Sequence, residues 1–142
     1  MRKVLLENMV EAWAFSISYC TRAAADNVES YLNNKWLSFL NSCNCPLPTS
    51  HRLEIDATPE LSINDVSHHQ SLIGVLRWMV ELGRLDTCLE ASMMSSCAEL
   101  PRESHLEMLH KIFAHVKKCH NTKMGFNPSK QSINKSDFET KD

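Results

Sequence analysis

Gln70, Gly74, Arg77 and Trp78 carry the most distinctive chemistry in this chain of 142 residues. With Gln70 at zero on a helical wheel, Gly74, Trp78 and Arg77 fall at about 40°, 80° and 340°. Leu72, Ile73, Leu76, Met79 and Val80 fall between about 180° and 300°, forming an apolar face. The polar set is therefore a ridge turned away from the helix's core side. Each member suits a nucleic-acid duplex. Gly74 lets backbone approach a groove closely, at a helix cost of about 1 kcal/mol. Gln70 can hydrogen-bond base edges or sugars, Trp78 offers a flat face, and Arg77 can reach a phosphate. Glu81 lies at about 20° on the same ridge and opposes phosphate. A plainer reading has Trp78 packing on a neighbouring element and Gly74 permitting close helix contact.

Other candidate chemistry is weaker. Six cysteines and seven histidines invite a metal, but Cys43 and Cys45 are the only close pair, with no second pair at zinc-finger distance. Cys88 and Cys97 fall on opposite faces of a helix. His105, His110, His115 and His120 rotate by about 140° at each step and cannot converge on one ion. They read as ordinary surface and boundary histidines. No metal and no cofactor are expected. With Gly74, Gly83 and Gly125 as the only glycines, no Gly-rich phosphate loop can form, and no Gly-x-Ser-x-Gly elbow occurs.

The net charge is −2. It is unevenly spread: residues 1–110 sum to −6 and residues 111–142 to +4. A protein whose affinity came from neutralising many phosphates would be basic throughout. Nucleic-acid binding here would be local and weak. No apolar run approaches the roughly 18 residues of a membrane span. Glu7 and Glu11 interrupt any signal-peptide core, so an intracellular protein without disulfides is expected.

Several elements must position the ridge. Residues 12–18 read as a strand, with residues 3–6 as antiparallel partner. Thr21 is placed to cap a helix over 21–40, with Ala24, Val28, Tyr31, Leu32, Trp36, Phe39 and Leu40 at helical intervals. Pro46, Pro48 and Pro59 mark a linker. Ser62 is a good N-cap, with Asp65 in the first turn, for a helix reaching Leu82 and stopped by Gly83. Asp86 is placed to cap a second helix ended by Pro101. A third over 102–120 carries Leu106, Leu109, Ile112, Phe113 and Val116 as its stripe, with Lys117 and Lys118 in the last turn. Residues 122–126 read as a short strand, and 127–142 as a poorly ordered tail.

The segment Gln70-Ser71-Leu72-Ile73-Gly74-Val75-Leu76-Arg77-Trp78 resembles part of a Ty1/copia-type retrotransposon polyprotein. The likeness continues through Gly83-Arg84-Leu85-Asp86 and Ser92-Met93-Met94-Ser95. It takes in Pro101, His105-Leu106, Lys111-Ile112-Phe113 and Val116-Lys117-Lys118. Upstream it includes Trp13-Ala14-Phe15-Ser16-Ile17-Ser18, Asn27-Val28-Glu29-Ser30-Tyr31-Leu32 and Pro46-Leu47-Pro48, and downstream Ser136-Asp137-Phe138-Glu139. The similar region is the part of the reverse transcriptase that follows the palm. Gln-x-Leu-x-Gly-x-Leu-x-Trp is also similar to the thumb helix that tracks the primer–template minor groove in retroviral enzymes. That implies duplex-tracking roles for Gln70, Gly74 and Trp78.

Departures from the pattern are informative. Polymerisation in this family needs carboxylates that hold two metal ions, including an adjacent Asp-Asp pair. The chain has six Asp and no such pair. Leu85 and Thr87 stand where Pro and Ile are usual, and His68-His69 where an aromatic is common. The expected fold is mainly α: a small three-helix, thumb-like bundle of helices of about 14–20 residues, preceded by a β-hairpin and a helix. Its expected divisions are 1–45, a palm-end remnant; 46–61, a linker; 62–120, the bundle; and 121–142, a connection segment. The expected function is that of a non-catalytic reverse-transcriptase fragment. It would retain weak, sequence-independent duplex binding through Gln70, Gly74, Arg77 and Trp78, with Lys117, Lys118 and Lys123 assisting. The alternative is a helical protein-interaction module using Trp13, Trp36 and Trp78. Self-association through an exposed N-terminal hairpin is a further expectation.

Overall fold

The computed structural model describes residues 2–5, 11–35, 37, 46–47 and 55–126. Trp36, Phe39, Leu40, Cys43, Cys45 and the expected tail over 127–142 lie outside the described residues, as do residues 48–54 of the expected linker. The described residues fall into two compact units, 2–5 and 11–15 with 125–126, and those between 16 and 124.

The first unit is built on β1 (Arg2–Leu5) and β2 (Glu11–Phe15), antiparallel with Lys3 opposite Trp13. A third strand, β3 (Met124–Phe126), completes a sheet of order β1-β2-β3. The expected hairpin is present, but its second strand stops at Phe15 rather than running on to residue 18.

The second unit is helical, so the fold is mainly α, with α1 (Ser18–Asn34), α2 (Ile63–Glu81), α3 (Cys88–Ser96) and α4 (Glu103–Lys118). Helix α1 starts earlier than expected. Thr21 is not its N-cap: the hydroxyl donates to the Ile17 carbonyl one turn back at 3.0 Å, and the residue is buried. The helix ends near Asn34, where the Leu37 N–H donates to the Leu32 carbonyl at 2.9 Å. That six-to-one bond closes a helix rather than extends it.

Helix α2 has the expected ends. Ser62 caps it, its hydroxyl accepting the Asp65 N–H at 3.3 Å and donating to the Asp65 carboxylate at 2.8 Å. At the other end Gly83 N–H reaches the Val80 carbonyl and Arg84 N–H the Met79 carbonyl, both at 3.0 Å. Gly83 sits at φ 112°, where a side chain would be strained. Asp86 does not cap the next helix. A 3₁₀ turn (Leu85–Thr87) intervenes, and both Asp86 oxygens accept from Arg84, at 2.8 and 2.7 Å. Helix α3 is nine residues long and ends at Ser96, short of the expected length and of Pro101.

The segment before α2 is tied to the start of α4. Glu60 bridges Arg102, Leu61 N–H donates to the Pro101 carbonyl at 3.2 Å, and Glu103 N–H to the Pro59 carbonyl at 3.1 Å. The Arg102 N–H is capped by Nδ1 of His105 at 3.1 Å.

Helix α4 is the spine, packing against α1, α2 and α3. Leu109, Ile112, Phe113 and Val116 are buried against Leu72, Ile73, Leu76 and Met79 of α2 and Val28 and Leu32 of α1, with Met94 from α3. Each fully buried Leu or Phe contributes about 1.5–3 kcal/mol. The apolar arc read for α2 is the face that it buries, and this orients everything on its other side.

Candidate nucleic-acid interface

Because α2 spends Leu72, Ile73, Leu76 and Met79 on the core, Gln70, Gly74, Arg77 and Trp78 are all left exposed, Trp78 at 47%. The ridge exists as a crest with a hollow on each side. A Cβ built on Gly74 meets nothing within 4 Å, so this glycine does not serve a helix–helix approach. Its absent side chain leaves open surface.

Trp78 faces one hollow, a groove of about 590 Å³ between α1 and α2. Tyr19, Ala23, Ala24, Asn27 and Val28 form the α1 wall, and Ser71, Leu72 and Val75 join Trp78 on the α2 wall. Tyr31 and His68 stand at the other end, rings stacked with centroids 3.6 Å apart. Arg77 faces the second hollow, a cleft of about 400 Å³ that it shares with Val80, Glu81, Cys88, Ala91 and Ser92. Gln70 is engaged on that side too. Its Nε2 donates to the Ala98 carbonyl beyond α3 at 3.1 Å. A duplex lying on the crest would have to take over that amide.

The expected basic helpers sit elsewhere. Lys117, in the last turn of α4, is ion-paired with Glu29 and lies 3.7 Å from Asp26, both on α1. Lys118 and Lys123 are exposed near the end of α4. The crest therefore presents Arg77 as its own cation, with Glu81 close by. Few phosphates could be neutralised there.

Two features escaped the sequence reading. The first is Arg84, only 2% exposed, which donates to Asp86 and, through Nη1, to the Cys119 carbonyl at 3.2 Å. It clamps the turn after α2 to the end of α4. The second is histidine burial. His69 is 0% exposed and His105 is buried, so these are not surface or boundary residues. A signal was available: His69 falls at about 260° on the wheel, inside the apolar arc. His105 lies one turn before Leu109 on the α4 stripe.

Charges around these rings are settled by short contacts. Lys35 bonds Asp65, which raises the ammonium and lowers the carboxyl from their usual values. Burial works to raise the Asp56 carboxyl. Donation from Ser104 and from the N–H and hydroxyl of Thr58, with His105 nearby, outweighs it and holds Asp56 at about 2. Burial pushes His69 and His110 down to about 4 and lowers His68.

Among the described residues no three His, Cys, Asp or Glu gather as a metal ion would require, and Cys20, Cys88, Cys97 and Cys119 are free thiols. No described helix is long and apolar enough to cross a membrane. No protein-family model matches the chain, and no curated protein or solved structure does either.

Proposed function

We propose that the chain is a non-catalytic, thumb-like fragment of copia-type reverse-transcriptase ancestry, acting inside the cell. What it retains is weak, sequence-independent contact with a primer–template duplex along the crest of α2. The observation that carries this reading is the open space over Gly74, flanked by exposed Gln70, Arg77 and Trp78. A backbone can come down on Gly74 while Trp78 lies against sugar or base and Arg77 holds a phosphate. The absence of an Asp-Asp pair from the sequence fits a part that grips but does not polymerise.

A second reading is favoured by the groove itself. Its walls are apolar or neutral, Tyr19 stands 85% exposed at its rim, and Trp78 lines it. In this reading the chain is an interaction module and the groove receives a partner protein. Among the described residues β1 is also an edge of the sheet, where a second copy could add a strand.

Titration of a labelled RNA–DNA primer–template into the full chain at low salt separates the two. Duplex contact predicts binding whose logarithm falls with log salt at a slope of about −1 to −2, as for one or two phosphates. Trp78→Ala should weaken that binding about fivefold, the low end of a stacking contribution, without unfolding the helices. Ala23→Lys, on the α1 wall, blocks the groove but leaves the crest clear, so duplex affinity should hold or rise. Absence of binding at low salt, or loss of it in Ala23→Lys, overturns the duplex reading.

A further inference from the structure

Where α1, α2 and α4 meet, the seam is built from four imidazoles and a phenol ring. Helix α2 supplies His68 and His69, α4 supplies His105 and His110, and α1 supplies Tyr31 with Lys35 over its ring at 5.0 Å. His68 lies between Tyr31 and His110, the two imidazole centroids 6.0 Å apart. Both ring nitrogens of His69, and Nε2 of His68 and of His110, are buried without a hydrogen-bond partner among the described residues. His105 Nε2 is likewise buried without a hydrogen-bond partner among the described residues, but a carboxylate, Asp56, lies 3.4 Å from it, and its Nδ1 accepts the Arg102 N–H.

A neutral imidazole is costly in such a site, and a buried imidazolium without a partner is far costlier. The other groups at the seam offer little relief. Asp65 is held by Lys35, Ser62 and Tyr31. Asp56 is held by Ser104 and Thr58 and lies beside His105. Glu103 and Glu107 line the shallow hollow outside His110, with Lys35 and Asp65 on its opposite rim. Charge on His68 acts on both His69 and His110, and charge on His69 acts on His110, so a proton on one of these rings repels a proton on the next.

We propose that the His68–His69–His110 cluster is an acid-sensitive latch. It holds α2 against α4 while its rings are neutral, and forces the seam apart when one of them is protonated. Opening there separates His68 from Tyr31 and so dismantles one end of the groove between α1 and α2.

The sign follows from the direction of the shifts. Rings that stay neutral in the folded chain, down to about 4 for His69 and His110, take up protons on unfolding below their ordinary value near 6.5. Stability is therefore full above about pH 6.5 and falls as the pH drops toward 4. The lowered carboxyls of Asp56 and Asp65 act only below about pH 4. The interval from about 6.5 to 4.5 thus isolates the histidines.

Urea unfolding of the full chain at several pH values, with an NMR titration of the histidine rings, tests the latch. The unfolding constant should rise by up to about a hundredfold per pH unit below pH 6, about tenfold for each of two neutral rings. His110→Gln should remove about one of those tenfold steps. In the wild-type chain the His69 and His110 signals should stay in their neutral positions until the folded resonances disappear, a readout that needs no variant to fold. Either ring titrating near 6.5 in a chain that stays folded overturns the proposal. So does an unfolding constant that is flat over the interval.

Discussion

Replacing Gly74 with alanine tests both the packing of α2 and the use of its outer face. Glycine inside a helix is about 1 kcal/mol less favourable than alanine, because the unfolded chain has more freedom to lose. Gly74 lies well inside α2, and a Cβ there meets nothing within 4 Å. The methyl group adds no clash, so Gly74→Ala should stabilise the chain by about 0.7–1 kcal/mol. For a chain of this size that is a rise of roughly 3–5 °C in Tm. Urea unfolding followed by far-UV circular dichroism would show a higher midpoint at unchanged slope. The same methyl lies where a duplex backbone must come closest. If duplex contact is made there, affinity should fall about fivefold or more, the low end of overpacking a close contact. One substitution thus moves stability up and binding down. A destabilised Gly74→Ala would refute the packing described here, since another element would have to lie against this position. A stabilised variant that bound duplex unchanged would refute the close approach.

Gly83→Ala should do the opposite to stability. At φ 112° the alanine is strained and the closing bonds to Val80 and Met79 weaken, costing about 1–2 kcal/mol in the same urea assay. Asp86→Ala leaves the Arg84 guanidinium buried with the Cys119 carbonyl as its remaining acceptor among the described residues. Breaking a fully buried pair costs about 3–5 kcal/mol, but Asp86 is partly exposed, so a loss of about 2 kcal/mol is expected by thermal or urea unfolding.

The parts of this fold legible in the sequence are those whose signals are local. The Ser62 hydroxyl accepts the Asp65 N–H at the start of α2 and donates to the Asp65 carboxylate, and Gly83 is needed for the backbone just beyond its end. The apolar arc of α2 and the stripe of α4 were readable because burial repeats with the helical period. Thr21 and Asp86 misled because a residue suited to capping has other uses. Thr21 turns its hydroxyl back to Ile17, and α1 is held instead by Ala25, Val28 and Leu32 in the interior. Asp86 is taken by a guanidinium only two residues away, an arrangement that depends on where the turn places Arg84 against the end of α4. The bonds of Lys117 to α1 and of Gln70 to Ala98 span 88 and 28 residues, and no periodicity reports such contacts. The crest was therefore legible as a pattern, while the company its members keep was a matter of tertiary packing.

Trp78 stands at the border of crest and groove, so its loss alone weakens either kind of contact. Charge is what separates them. The residues lining the groove include no Asp, Glu, Lys or Arg, so association there rests on apolar burial, which simple salt does not screen and sulfate strengthens. The crest has Arg77 beside Glu81 in a part of the chain that is acidic overall, so a duplex can gain little beyond one or two released counterions. Its binding must still weaken as salt rises. A contact dependent on Trp78 that held steady from low to moderate salt would therefore belong to the groove, whatever the family resemblance of the helix that carries it.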